Sequence, residues 1–318
     1  MLDGIVGEWH KHGIGVLIVG GQVMLAGGLR EQTKDLDACL AARQIPRMLD
    51  WLAAKENLGT KVAIRAGSAP LHPDWLGRGW TFHVELANSD RVDFFGIPLR
   101  APNRLVERFF LDPTDTALAS LTELAYLKRT ERPQDWADID LIVGQLCARH
   151  DLDASTEHLF GNALVEELMA NRDDAEFQKG LAASQQAEQR PILRLGLQVP
   201  IDELRAMARA ELRFWEVAGA LRSDELRDKL KGFWRKHSSE IRSRPNFADQ
   251  HDTLLAAARA DLPLSPIKNP SVLIERARAE SGASRWPELL PVTEALVAQY
   301  FPEYRSHLAA RLRQEPQS

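Results

Sequence analysis

The sequence predicts an α+β protein: a mixed sheet with flanking helices in the N-terminal part, then an all-helical C-terminal domain. Three observations carry this expectation. Strand-like and helix-like segments alternate between residues 14 and 96. The strand signal fades from about residue 103. Beyond residue 150 almost every segment repeats its apolar residues at helical spacing, with the breakers "RPNF", "LPLSP" and "SGAS" between segments. A chain of 318 residues is long enough for two domains, expected here at 1–150 and 151–318 with the join inside 100–155.

Each element follows from its local pattern. "GVLIVGG" is a short β-branched run that meets a Gly-Gly turn, so a buried strand ending sharply. "QVMLA" reads as a short helix stopped by Gly27 and Gly28. "DLDACL" reads as a strand. In "RQIPRMLDWLAAKENL" the residues Ile45, Met48, Leu49 and Leu52 recur at helical spacing. "KVAIRAG" is the next strand, and "WTFHVELANSDRVDFFGI" a hairpin whose first arm alternates Phe82, Val84 and Leu86 before an Asn-Ser-Asp turn. "DPTDTALASLTELAYLKRT" predicts a helix with Asp112 as N-cap and Pro113 in the first turn, and a further helix follows Pro133. Helices are then expected over 156–172, 201–219, 222–240, 249–260, 270–281 and 287–313.

Composition narrows the function classes. Forty basic residues against 45 acidic ones give a net charge of −5, which argues against a protein coated in basic charge for nucleic acid but leaves a local patch open. The two cysteines, Cys39 and Cys147, lack zinc-type spacing and suit a reducing compartment. The first residues lack the basic and apolar regions of a secretory leader, and no apolar run approaches the roughly 20 residues that span a bilayer, so a cytoplasmic protein is expected. Gly13 and Gly15 precede the first strand rather than follow it, which excludes a Rossmann fingerprint. No G-x-x-x-x-G-K-[ST] is present either.

The stretch "VGGQVMLAGGLREQTKDLD" carries the chemistry. Asp35 and Asp37 stand two apart on a strand, which puts both carboxylates on one face roughly 7 Å apart along the chain. Paired acids repel unless a cation lies between them, and Mg²⁺ prefers carboxylate and phosphate oxygens. The alternative is a strand end with two solvated acids. Upstream, Gly20 and Gly21 would let backbone N–H groups approach a phosphate at a helix start, or else form a tight turn with no ligand. Arg30 and Thr33 precede the aspartates, and both residue types bond phosphate.

A strand ending in Gly-Gly, a short helix, a basic and a hydroxyl residue, then Asp-x-Asp resembles the core of the DNA polymerase β-like nucleotidyltransferase superfamily. Within it, the stretch looks most like the AbiEii-type abortive-infection toxin branch, although Arg30 stands one position further back than that pattern asks. The resemblance implies a nucleotidyltransferase-like mixed sheet and a third carboxylate on a neighbouring strand. "RVDFFG" supplies Asp93 for it, with Glu85 as its nearest rival and a water-facing edge aspartate as the alternative. "LAYLKRTERPQDWADIDL" is similar to the branch's helical segment through Lys128, Arg132, Asp135 and Asp138. By resemblance Lys128 contacts the triphosphate and Asp138 helps to hold the site. Read on their own, Lys128 could be a solvated lysine and Asp135 a helix N-terminal acid.

What the resemblance implies is a transfer of NMP from an NTP to a hydroxyl acceptor. Mg²⁺ or Mn²⁺ would be held by Asp35, Asp37 and Asp93, and Asp93 is also the candidate general base. The Gly20-Gly21 turn, Thr33 and Lys128 would bind the phosphates. RNA, tRNA above all, is the favoured acceptor. The setting implied is a toxin or effector of a bacterial defence or toxin–antitoxin locus, with an antitoxin protein as partner. Two other readings stand beside it: a small-molecule, antibiotic-type adenylyltransferase, and a nucleotide- or partner-binding protein of the same fold without catalysis. For RNA, residues 222–244 offer basic residues around Phe233 and Trp234, where aromatics among cations could stack a base, or could be the core face of an amphipathic helix. Arg244 and His251 resemble in spacing the Arg-x4–6-His pair of HEPN ribonucleases, but Pro245 makes the context poor.

Overall fold

A computed structural model of the chain describes residues 2–87, 90–96, 117–130, 132–148, 161–183, 192, 199–265 and 267–286. It is a mixed α/β structure: a six-stranded mixed sheet in the N-terminal part and a largely helical C-terminal region. The described chain divides into two compact units that are not consecutive halves. The first comprises Met1–Leu124 and Asp224–Lys268, the second Ala125–Ser223 and Asn269–Ser318. A single cut near residue 150 therefore does not describe the packing.

The first unit opens with α1 (Leu2–Lys11), β1 (Leu17–Val19), α2 (Gly21–Ala26) and β2 (Asp35–Cys39). These are followed by α3 (Ile45–Asn57), β3 (Val62–Ile64), α4 (Pro73–Leu76), β4 (Thr81–Leu86), β5 (Asp90–Phe95) and β6 (Ala117–Leu118). The strand order is β3-β4-β5-β2-β1-β6. β1 runs antiparallel to β2, β2 parallel to β5, and β3-β4-β5 form an antiparallel meander. Alternation along β4 puts Phe82, Val84 and Leu86 on the buried face and Thr81, His83 and Glu85 on the other. β5 does the same with Val92 and Phe94 buried opposite Arg91 and Asp93, and β2 with Leu36 and Ala38 buried opposite Asp35 and Asp37. Across β4, β5 and the start of β2, one face is thus core and the other half-buried and mostly polar, whereas β1 is buried on both faces.

The core face packs on α1, α3 and the segment 224–268. Trp9 of α1 meets Trp51 edge-on at 5.7 Å and Phe94 at 6.0 Å. Each such fully buried large side chain contributes about 1.5–3 kcal/mol. From residue 224 onward the chain adds Leu230, Phe233, Trp234, Ile241, Phe247 and Leu254 to the same cluster.

The remaining helices are α5 (Leu121–Leu127), α6 (Pro133–Ala148), α7 (Gly161–Ala170), α8 (Ala175–Ala183), α9 (Ile201–Arg242), α10 (Phe247–Asp261) and α11 (Pro270–Ser281). Ser120 and Glu123 start α5 as a reciprocal capping box, with Ser120 N–H donating to Glu123 Oε2 at 2.7 Å and Glu123 N–H to Ser120 Oγ at 3.2 Å. In the second unit Ile139, Val143, Leu164, Val165, Leu168, Leu204 and Met207 form a separate apolar cluster.

Several expectations differ. The two helices expected at 201–219 and 222–240 are one 42-residue helix, because nothing between them breaks the backbone: Ser223 stays within the helical hydrogen-bond ladder. Residues 117–118 form an edge strand on β1 rather than helix, with Ala117 N–H bonded to Val16 O and Ala119 N–H to Ile18 O. The Asp112–Pro113 cap, the hairpin turn residues 88–89 and the helix expected at 287–313 lie outside the described residues. Among the described residues no helix is long and apolar enough to cross a membrane.

Candidate functional site

The turn between β1 and α2 is built around the two glycines. Gly20 has φ 67° and ψ −143°, a conformation that side chains rarely adopt. A Cβ on Gly20 would lie 2.7 Å from Asp37 Cγ and nearer still to its Oδ2. A Cβ on Gly21 would lie 2.9 Å from Thr33 Cβ and nearer still to its hydroxyl. The glycine pair is therefore the floor on which the Asp37 carboxylate and the Thr33 hydroxyl rest. Gly27 and Gly28 end α2 as expected, Gly28 with φ 73°. With six residues, α2 is too short for its dipole to add much to anion binding.

The acids follow from strand register. Asp37 pairs with Val19 on one side and with Asp93 on the other. Register partners on neighbouring strands point to the same face about 5 Å apart at the backbone. Asp35, Asp37 and Asp93 therefore share the polar face of adjacent strands. Asp35 Oδ1 is buried and has no hydrogen-bond partner among the described residues. A buried, unpartnered carboxylate oxygen carries a desolvation cost that a bound cation would remove.

Asp93 is held differently. Its Oδ1 accepts a 2.7 Å hydrogen bond from His83 Nδ1, its register partner on β4, and Arg65 Nη1 stands 3.6 Å away. Among the described residues no group of three His, Cys, Asp or Glu side chains is arranged to hold a metal ion. Asp35 and Asp37 thus fit a shared divalent ion by donor chemistry and by the orphaned oxygen, whereas Asp93, as placed, is spent on a histidine and an arginine. Glu85, the rival third acid, faces Arg91 in the β4–β5 register rather than Asp37.

Cys39, two residues beyond Asp37, is buried. Burial first, and then the Asp37 charge, pushes its thiol far above the ordinary range, so it is no nucleophile. Thr33 donates to the Asp35 carbonyl at 3.2 Å and closes the turn into β2. Arg30 is half-buried.

Lys128 and Asp138 belong to the second unit. Lys128 Nζ is buried and bonded to Asp135 Oδ1 at 3.0 Å and Asp138 Oδ2 at 2.6 Å. Arg132 Nε adds 2.7 Å to Asp135 Oδ2, and the Thr130 hydroxyl bonds the same oxygen. Burial alone would raise the Asp135 pKa, but Lys128, Thr130 and Arg132 together hold it below the ordinary value. Lys128 is therefore not a solvated lysine: its charge is matched by two carboxylates.

In two places where the sequence left alternatives, the structure selects the one without nucleic acid. Phe233 and Trp234 are core residues, and Trp234 Nε1 donates to the Ser68 carbonyl at 2.8 Å, so neither offers a ring to a nucleic-acid base. The periodicity of α9 turns this pair inward, while basic neighbours such as Lys231 and Arg235 face out. His251 is buried and accepts the Leu71 N–H at 3.1 Å, and Arg244 bonds Glu240, so the two do not form a ribonuclease pair. The residues that sequence reasoning missed are His83 and Arg65. Counting back from the Asn-Ser-Asp turn puts His83 opposite Asp93, so the signal lay in the hairpin register.

No family model matches the chain, and no curated protein or solved structure gives a significant match to it.

Proposed function

We propose that this protein is a metal-dependent nucleotidyltransferase that moves NMP from an NTP to a hydroxyl acceptor. The observation that carries the reading is the register Val19–Asp37–Asp93, which puts Asp35, Asp37 and Asp93 on one face of adjacent strands beside the Gly20–Gly21 turn that packs against Asp37. Asp35 and Asp37 would hold Mg²⁺ or Mn²⁺. Such an ion, when bound, supplies charge neutralisation for a triphosphate. The Gly20–Gly21 backbone and Thr33 would orient the phosphates, with Arg30 as a further cation. In the transfer, the acceptor oxygen bonds to the α-phosphorus and pyrophosphate leaves. The triphosphate contact implied for Lys128, and the supporting role of Asp138, rest on the resemblance alone and require Lys128 to leave Asp135 and Asp138.

RNA, with tRNA first, is the proposed acceptor, in the setting of a bacterial toxin or effector with a cognate antitoxin. That choice rests on the resemblance, since the aromatics of 222–244 are core. The assay is incubation of the purified chain with labelled NTPs, Mg²⁺ or Mn²⁺ and total RNA. Label is expected on RNA, and Asp37→Asn is expected to lower the rate by about 10²–10³-fold or more. Transfer by Asp37→Asn at the wild-type rate overturns the reading, and label on a small hydroxyl compound instead selects the antibiotic-type alternative.

A second reading has its own observation. Asp93 is occupied by His83 and Arg65, which favours a domain that binds nucleotide or a partner without transfer. Nucleotide binding with no label on any acceptor selects it.

A further inference from the structure

His83 is not a loosely placed side chain. Its backbone N–H donates to Ser68 Oγ at 3.0 Å, and its carbonyl accepts from Ser68 Oγ at 2.9 Å and from Arg65 N–H at 3.0 Å. Ser68 is fully buried and is anchored in turn by Trp234 Nε1 on its carbonyl. The strand segment that carries His83, and the residue that carries the Arg65 guanidinium, are thus fixed to each other and to the core. Both project to the polar face, where they flank the same carboxylate oxygen. On the far side of Asp93 lies Asp37, its register partner on β2. The row across three strands reads His83, Asp93, Asp37, and Asp93 has turned toward the histidine.

We propose that His83, backed by Arg65, is a positioning residue that competes for Asp93 Oδ1 with the cation site formed by Asp35 and Asp37, so that this oxygen joins a metal only by giving up His83. The inference rests on the nucleotidyltransferase reading for the identity of that cation site. It goes beyond it by giving the chain a built-in competitor for its own third ligand. The hydrogen bond from His83 and the ion contact from Arg65 must both be broken for Asp93 Oδ1 to move, and substituting His83 removes the closer of the two. Nδ1 is the nitrogen used, and the Nδ2 of an asparagine occupies nearly the same position, so Asn preserves the contact while Val abolishes it on a strand-compatible frame.

The test is Mn²⁺ binding to the full chain, read from the loss of the free-ion electron paramagnetic resonance signal, without any turnover. His83→Val is expected to bind Mn²⁺ about tenfold more tightly than wild type, and His83→Asn to stay within about twofold of it. Asp93→Asn is expected to change Mn²⁺ affinity by no more than about twofold in the wild-type background and to weaken it about tenfold in the His83→Val background. Near-ultraviolet circular dichroism checks that each variant is folded, and Arg65→Gln, expected to tighten binding in the same direction, serves if His83→Val is not. Unchanged or weaker Mn²⁺ binding in folded His83→Val, with Asp37→Asn still weakening it, overturns this inference alone. Mn²⁺ affinity indifferent to Asp37→Asn overturns the nucleotidyltransferase reading beneath it.

Discussion

Replacing Gly20 by alanine tests the floor of the site. Two costs add. The backbone conformation at φ 67° and ψ −143° lies in the region nearly reserved for glycine, and holding another residue there costs about 1–3 kcal/mol. The new methyl would also stand 2.7 Å from Asp37 Cγ, so the carboxylate must shift, and overpacking of this kind costs about 1–3 kcal/mol. Together they come to roughly 2–6 kcal/mol. For a domain of 150–250 residues each kcal/mol lowers Tm by about 2–4 °C, so a fall of about 4–24 °C is expected. Trp9, Trp51, Trp75, Trp80 and Trp234 all lie buried in the same unit, so intrinsic fluorescence follows its unfolding. A companion variant separates the two costs. In the Asp37→Gly background the steric part vanishes, so the second substitution is expected to cost only the backbone part. A Gly20→Ala protein that melts within about 1 °C of wild type would refute the reasoning, because it would mean that the turn does not press on Asp37.

Three further outcomes follow from the described contacts. Asp35→Asn removes the charge of a half-buried carboxylate whose Oδ1 is buried without a partner, and is expected to stabilise the metal-free protein by about 1 kcal/mol in denaturant titration while abolishing nucleotidyl transfer, the exchange of stability for function that charged sites show. Lys128→Met removes the ammonium that two buried carboxylates, Asp135 and Asp138, share and is expected to destabilise the second unit by about 3–5 kcal/mol, read by denaturant unfolding with a probe in that unit. Burial, as the leading cause, lowers the pKa of His251 from 6.5 to about 4. The unfolded chain therefore binds the extra proton first. The stability is fully present above pH 6.5 and is lost as pH falls toward 4, by about 3 kcal/mol in all. His251→Phe is expected to flatten the stability profile between pH 4 and 6.5, and an unchanged slope in urea titrations across that range would show that His251 is not its source.

Much of the site could be read before any coordinates. The Gly-Gly turn, the short helix stopped by Gly27 and Gly28, and the Asp-x-Asp face all arise from interactions within about twenty residues, where spacing alone fixes which side chains meet. The hairpin turn likewise implied which residues of β4 and β5 are opposite, although His83 was overlooked because a histidine in an alternating strand looks like any other polar position. The length of α9 differs for another reason: helical periodicity places 201–219 and 222–240 separately, yet with no Gly or Pro at 220–222 nothing interrupts the backbone hydrogen bonds between them.

The sequence by itself determined the local units: apolar alternation, glycine at the points of closest approach and the acid pair on one strand, because each depends only on backbone period and neighbouring residues. It also determined that Phe233 and Trp234 share one side of a helix. Which surface they cover was decided only by tertiary structure, which brings residues 224–268 back onto the sheet and buries both rings. The same holds for Asp93. Its place in the chain made it a candidate acid, but whether its charge faces Asp37 or His83 depends on parallel pairing with β2, antiparallel pairing with β4 and the anchoring of Ser68 by Trp234, contacts between residues as much as 166 positions apart. A carboxylate turns to the best-placed positive or donor group within reach, and long-range packing decides which group that is.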